Sequence, residues 1–177
     1  MNEVWRRGPF EISTERARLD VAAIHDYLSG HSYWARGRSR AVVERSIAHS
    51  LPFGVYYEER QVGFARVVTD YATFAWLADV FVLEEFRGRG LSKWLLEVVC
   101  AHPELQGLRR WLLATKDAHG LYRRYGFTPL ADPELWMERF EPQAQATTET
   151  QREGATTETR LEPALEGAAG AESERRA

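Results

Sequence analysis

The sequence predicts an α/β protein of the α+β kind, a mixed and mostly antiparallel central sheet flanked by helices, and three observations carry that prediction. Three consecutive runs, at 53–57, 62–69 and 74–83, are rich in aromatic and β-branched residues, the composition of half-buried strands joined as a meander. Segments on either side of them repeat apolar residues at helical spacing. A glycine-rich loop, Arg87-Gly88-Arg89-Gly90, falls between the last of the three runs and the helical pattern that follows.

In chain order, Phe10-Glu11-Ile12 alternates as a short strand, and 19–28 places Val21, Ile24, Tyr27 and Leu28 on one helical face, with Ser29-Gly30 as its stop. Ser39 is a helix cap for Val42, Val43 and Ile47, and that helix closes before Ser50 and Pro52. Glu58-Glu59-Arg60 is the polar turn inside the meander. Beyond the glycine loop, Leu91, Leu95 and Val98 with Trp94 and Val99 predict a helix ended by Pro103. A strand at 110–115, a short helix at 118–125 stopped by Gly126, and a final strand around 136–140 complete the pattern. The glycine loop therefore lies on a strand-to-helix turn of a helix-covered sheet.

The chain has 177 residues, 44% hydrophobic, with 6 Trp, 7 Tyr and 8 Phe, enough for one sizeable core. Apolar residues thin out abruptly after Phe140, and 141–177 carries eight glutamates against four arginines. This predicts a domain at 1–140 and a disordered, polar, acidic tail at 141–177, because so little apolar surface cannot offset the entropy of ordering. Ala-Thr-Thr-Glu-Thr occurs at 146–150 and again at 155–159, a local duplication rather than a solenoid. With the tail set aside, 19 basic and 18 acidic residues remain. A nearly neutral body argues against a nucleic-acid partner and for a small-molecule one. The single cysteine, Cys100, excludes an intramolecular disulfide and makes a thiolate metal site implausible, so no metal is expected. No run approaches the length of a membrane span, and the residues from Met1 to Arg7 lack the apolar segment of a secretory signal. The expectation is a cytoplasmic protein with no membrane partner.

The glycine loop is built for an anion. Glycine lets backbone N–H groups approach phosphate oxygens, the helix start adds partial positive charge, and Arg87 and Arg89 add donors. The phosphate loop of NTPases requires Gly-Lys-Ser/Thr and the dinucleotide fingerprint requires a third glycine. This sequence has neither, since Leu91, Ser92 and Lys93 follow Gly90. Taken alone, the loop is equally a tight turn with solvated arginines.

Two motifs in order together resemble the GNAT superfamily of acetyl-CoA-dependent N-acetyltransferases. Residues 80–92, Val-Phe-Val-Leu-Glu-Glu-Phe-Arg-Gly-Arg-Gly-Leu-Ser, are similar to the family's pyrophosphate motif, Arg/Gln-x-x-Gly-x-Gly/Ala, read as Arg87, Gly90 and Ser92. Residues 118–127, Ala-His-Gly-Leu-Tyr-Arg-Arg-Tyr-Gly-Phe, are similar to Ala-x-x-Phe/Leu-Tyr-x-x-x-Gly-Phe. The chain departs from the pattern at Ser92, and at Thr115, where members often carry Asn. The resemblance covers roughly residues 8–140, about one domain.

The resemblance implies a GNAT-like acyl-CoA N-acyltransferase fold, acetyl-CoA as acetyl donor, and direct attack by a small-molecule primary amine. It assigns the cofactor to Phe81, Val82, Arg87, Gly88, Arg89, Gly90, Leu91, Ser92, Thr115 and Tyr122, with a main-chain N–H of Phe81 or Val82 stabilising the oxyanion. It implies Tyr122 as the acid that protonates the departing thiolate. Asp79, a carboxylate in an apolar strand, is a candidate to take the amine proton or bind the ammonium, with His119 or water as alternatives. Tyr33 and Trp34, between the two early helices, are candidates to line the acceptor pocket, with packing of Trp34 into the core as the alternative. Arg123 and Arg124 are candidates for the cofactor's 3′-phosphate. A non-catalytic acyl-CoA sensor and a protein N-acetyltransferase remain as competing functions, and a homodimer is left open.

Overall fold

The computed structural model describes residues 2–141; the expected tail at 142–177 lies outside the described residues. Its centre is one six-stranded sheet whose spatial order follows the chain: β1 Val4–Arg7, β2 Phe10–Ser13, β3 Leu51–Tyr57, β4 Arg60–Thr69, β5 Phe74–Val82 and β6 Arg110–Leu112. All neighbours are antiparallel except β5 and β6, which run parallel. The meander read from composition is therefore β3-β4-β5. Pro52 is accommodated in β3 because β2 pairs only with Gly54, Val55, Tyr56 and Tyr57, so its missing N–H falls beyond the end of the neighbouring strand.

Helices cover both faces. On one, α1 (Val21–Asp26) and α2 (Arg40–Ala48) close a core of Ile24, Leu28, Val43 and Ile47 against Phe64 and Phe81 of the sheet. Their caps are side-chain oxygens: Asp20 accepts from the Ala23 N–H at 3.0 Å and Ser39 from the Val42 N–H at 3.4 Å. On the other face, α3 (Leu91–Ala101) buries Leu95, Leu96 and Val99 completely against Ile12, Phe53, Val55 and Val62. Each such side chain contributes about 1.5–3 kcal/mol of burial. The C-terminal elements are shorter than the sequence pattern implies: β6 stops at Leu112, and the helix expected at 118–125 divides into α4 (His119–Tyr122) and a tighter turn at Arg123–Tyr125. Gly126 ends that turn at φ +84°, as its place in the sequence predicts.

Two elements differ from expectation. β1 is absent from the sequence reading, because its Arg6 and Arg7 obscure the alternation; charged side chains of this kind are how edge strands remain unpaired on their outer side. The final strand expected around 136–140 does not form. Trp136 is drawn against the Arg110 guanidinium at 4.7 Å, while Met137 and Phe140 are 97% and 76% exposed. Strand-forming composition produces a strand only where an edge accepts it, and β6 offers three residues.

Candidate active site

The site follows from where sheet pairing runs out. β6 pairs with Phe74, Ala75 and Trp76 and no further, whereas β5 continues to Val82 against β4 alone. Beyond Trp76 the two parallel strands splay. The register of β4 with β5 also shifts between Phe64 and Arg66, and Asp79 takes a left-handed backbone at φ +53°. A bulge of this kind turns side chains out of the regular alternation, and aspartate tolerates the conformation better than most residues.

A cavity of about 290 Å³ occupies the splay, walled by Trp76 and the residues up to Val80, by Ala114 and Thr115 beyond β6, by Arg66 of β4 and by Tyr122 of α4. The linker between α1 and α2 closes it. After α1 the helix widens into a π-turn at Tyr27–His31, in which the Ser32 N–H donates to the Tyr27 carbonyl at 3.0 Å, and such turns recur at functional sites. Ser32 then ties the linker down, donating to the Leu28 carbonyl at 2.6 Å and accepting from the Ala35 N–H at 3.1 Å. This delivers Tyr33 and Trp34 to the cavity, edge to face at 5.0 Å. Trp34 is a wall of the cavity and not part of the core. The Tyr33 hydroxyl accepts from the Lys116 N–H at 2.7 Å, which joins the linker to the loop after β6.

Asp79 is buried at the back of this cavity. Its Oδ1 accepts from the Trp34 Nε1–H at 3.0 Å and from Arg38 at 3.2 Å, and its Oδ2 from Arg38 at 3.1 Å and Arg66 at 2.6 Å. Three donor nitrogens make four contacts, two on each oxygen, and so occupy a carboxylate's lone-pair sites. As it stands, Asp79 has no lone pair left for an ammonium or an amine proton, and the geometry makes it an anchor for two guanidiniums and an indole. Arg38, Arg66 and Trp76 are site residues that the sequence reading missed. A signal for one of them was present, since Arg66 interrupts an apolar run one strand before Asp79.

Tyr122 stands at the junction of this cavity and a neighbouring one of about 310 Å³ that holds His119 and Phe127. Its ring meets Phe127 edge to face at 6.0 Å, and its hydroxyl bonds to no protein atom among the described residues. Burial is the main reason its phenol is pushed up to about 12, with Tyr33 and Asp117 adding to the shift. The hydroxyl therefore stays protonated across the ordinary pH range. Tyr125 differs: its hydroxyl donates to the Lys93 carbonyl at 2.5 Å and is committed to holding α4 against α3. His119 is exposed and lies in the neighbouring cavity, so it does not share a wall with Asp79. The Thr115 hydroxyl accepts from the Ala118 N–H at 3.1 Å, which fixes the entrance to α4, and Thr115 lines both cavities.

The glycine loop completes the site. Gly88 and Gly90 have φ of +77° and +80°, and a Cβ on either would meet no atom within 4 Å. Glycine is required there for the backbone conformation, and the space above the loop is open. Gly90 precedes α3 with no side-chain cap, leaving the first N–H groups of the helix for an anion. A depression of about 210 Å³ beside the loop is lined by Val82, Leu91 and Ser92. Arg87 is turned inward, donating to the Val82 carbonyl at 3.2 Å and to the Tyr27 hydroxyl at 3.1 Å, so its side chain braces the loop. Arg89 rests on the Phe86 ring at 5.3 Å. Of the two candidate main-chain donors, Phe81 has its carbonyl against Gly63 of β4, and the Leu83 N–H donates to the Val62 carbonyl. Peptide groups alternate between strand edges, so those of Val82 face the splay. Arg123 and Arg124 are exposed. Among the described residues there is no cluster of three metal-binding side chains and no helix long and apolar enough to cross a membrane.

This geometry has counterparts. A family model described as an acetyltransferase (GNAT) domain matches residues 48–129. A Gibberella zeae protein described as a candidate acetyltransferase is 34% identical over 140 residues, 67% of this chain and 78% of that one. A crystal structure of a candidate acetyltransferase of the GNAT family from Xanthomonas campestris pv. campestris is 56% identical, with a TM-score of 0.75, covering 78% of this chain and 97% of that one. A candidate acetyltransferase from Deinococcus radiodurans shares the fold at 17% identity, with a TM-score of 0.60 over 79% of this chain and 94% of that one. The family model's range takes in the splayed strands, the glycine loop and α4, and with the identity and coverage shared with the Gibberella and Xanthomonas proteins the chain belongs to the GNAT acetyltransferase family.

Proposed function

We propose that the protein transfers the acetyl group of acetyl-CoA to the primary amine of a small molecule by direct attack within a ternary complex. The observation that carries this reading is the Tyr122 hydroxyl, unbonded to the protein and set between two cavities at the open end of the sheet. We assign the acceptor to the cavity backed by Asp79 and the donor to the depression beside the glycine loop, which Leu121 of α4, next to Tyr122, also lines. A volume of about 290 Å³ suits a compact small molecule better than a polypeptide.

The residues present fit the donor's anionic part: two left-handed glycines under open space and an uncapped helix start favour a pyrophosphate. When bound, acetyl-CoA supplies an acyl thioester whose C–S bond breaks as the amine's C–N bond forms. The Val82 N–H, on the splayed edge of β5, is the donor we assign to the developing oxyanion, an interaction of about 3 kcal/mol where preorganised. Tyr122 donates its O–H to the departing thiolate. Its raised proton affinity makes it a persistent hydrogen-bond donor first and a full proton donor only against a strongly basic partner. We assign Asp79 the task of positioning Trp34, Arg38 and Arg66. Removal of the amine proton then falls to water, since His119 lies outside the acceptor cavity.

The test is thiol release from acetyl-CoA in the presence of a broad panel of amines, with the acetylated product identified by mass spectrometry. Amine-dependent release with matching product supports transfer. Acetyl-CoA binding by calorimetry without amine-dependent release from any acceptor would replace it with the sensor function.

A further inference from the structure

The acceptor cavity contains a charge that the fold does not use up. Arg66 spends Nε on Asp79, at 2.6 Å, while its two terminal amino groups bond to no protein atom among the described residues. Its side chain is 13% exposed, and the exposed part lines the cavity. A guanidinium so far removed from water with most of its donors idle is costly unless something accepts from them. Asp79 divides its single carboxylate between Arg38 and Arg66, so the terminal amino groups of Arg66 remain as cationic donors on this wall. Asp117 also lines the cavity, close enough to Tyr122 to act on its phenol. The indoles of Trp34 and Trp76 line the cavity as well, and the bond from Trp34 Nε1 to Asp79 holds one of those rings in place.

We propose that the acceptor is an amphoteric amine of the amino-acid type: its carboxylate is held by the terminal amino groups of Arg66, its ammonium lies toward Asp117 and Tyr122, and its apolar body lies against Trp34 and Trp76. The planar fork of arginine matches a carboxylate, and Asp117, near Tyr122, is the carboxylate that the molecule's nitrogen would meet. A lone cationic amine leaves the Arg66 donors unpaired. The inference rests on the acetyl-transfer reading and adds the acceptor class to it.

The experiment compares matched triplets, each an apolar or aromatic amino acid, its carboxamide and its decarboxylated amine, as acceptors for the wild-type protein and for Arg66→Gln and Arg66→Lys. The amino acids are expected to exceed both partners by about thirtyfold in kcat/KM, the worth of one charge-assisted contact. That ratio should collapse toward one in Arg66→Gln and fall partway in Arg66→Lys, which keeps the charge and loses the fork. Calorimetry with the N-acetylated amino acids and their amides, in the presence of coenzyme A, reads the subsite without turnover. Turnover that ignores or disfavours the carboxylate overturns the amphoteric acceptor and leaves acetyl transfer standing. Binding of the carboxylates that Arg66→Gln abolishes, with no turnover of any amine, upholds the subsite and removes the transfer reading. The absence of both a turnover preference and carboxylate binding overturns the proposal. Should Arg66→Gln not fold, the wild-type ratio across the triplets decides alone.

Discussion

The two halves of β5 are made of similar residues and do different things. Phe74, Ala75 and Trp76 are paired on both edges, to β4 and to β6, and this half is ordinary sheet interior. From Leu77 to Val82 the strand is paired on one edge, carries the bulge at Asp79, and lines the cavity of the splay as far as Val80. The lesson is that the site is made by withholding a neighbour: strand backbone that is normally consumed by pairing becomes available where the parallel partner leaves after three residues. The polar groups exposed by that departure are managed by a local network centred on Asp79 rather than by the sheet.

The contrast can be broken most severely at Asp79. Replacing it by Asn should destabilise the protein by about 3 kcal/mol in urea unfolding, because Arg38 and Arg66 then lose their buried counter-charge. A proton-accepting role predicts the reverse, a stable but inactive protein, and near-wild-type stability in Asp79→Asn would return Asp79 to that role. Next in size is Tyr122→Phe. It keeps the ring against Phe127 and removes an unbonded hydroxyl from the residue at the junction of the two cavities, and turnover should fall roughly a hundredfold, about 2.7 kcal/mol, with acetyl-CoA affinity little changed. Tyr125→Phe is its control and should be nearly silent in turnover, since that hydroxyl is already bonded to Lys93. Because the Tyr122 phenol is held near 12, its ionisation should leave no falling alkaline limb below about pH 10 in the kcat profile.

A smaller effect is expected at the far end of the site. Gly90→Val forces a branched residue into a left-handed backbone and sets methyl groups above the loop, and the acetyl-CoA dissociation constant should rise at least tenfold, about 1.4 kcal/mol. Unchanged affinity in a folded variant would sink the phosphate role. The smallest effect should come from His102, packed between Trp5 and Phe53, away from the splay. Its Nδ1 accepts from the Glu104 N–H, its Nε2 is buried without a hydrogen bond, and burial holds the imidazole below its usual 6.5. A depressed folded value means that the fold favours the neutral ring. That contribution is complete above pH 6.5 and is lost as pH falls from 6.5 toward the folded value. Unfolding curves should show His102→Asn with a shallower acid decline than wild type, and with turnover unaffected; a change in turnover would show that the closed and open parts of the sheet are coupled.

Much of this was legible in the chain. The meander, three helices and the stop at Gly126 lie in local patterns of apolar spacing, caps and breakers, which act over a few residues and so survive in the sequence, whereas the stop expected at Ser29-Gly30 is overrun by the π-turn that continues to His31. Ser39, Gly88, Gly90 and Gly126 have the conformations that their positions predict. The cavity residues were legible in part: Tyr33, Trp34, Asp79 and Tyr122 were all candidates and converge on one cavity. Their roles were not, because Asp79 reads as an isolated carboxylate until Arg38, 41 residues earlier, and Arg66, 13 residues earlier, are brought to it. The strand expected around 136–140 failed for a related reason, since pairing depends on an available edge and no property of the segment itself reports one.

The sequence by itself determined the family, the left-handed glycine loop before α3 and the tyrosine at the candidate site, because each is a short-range pattern whose geometry follows from backbone conformation. Only the tertiary structure decided that Asp79 is an anchor, that Arg87 braces the loop, and that Arg66 faces the cavity with donors to spare. Those are statements about which charges are neighbours in a low-dielectric interior, where a partner a few ångströms away determines what a group can do, and that distance is set by the fold.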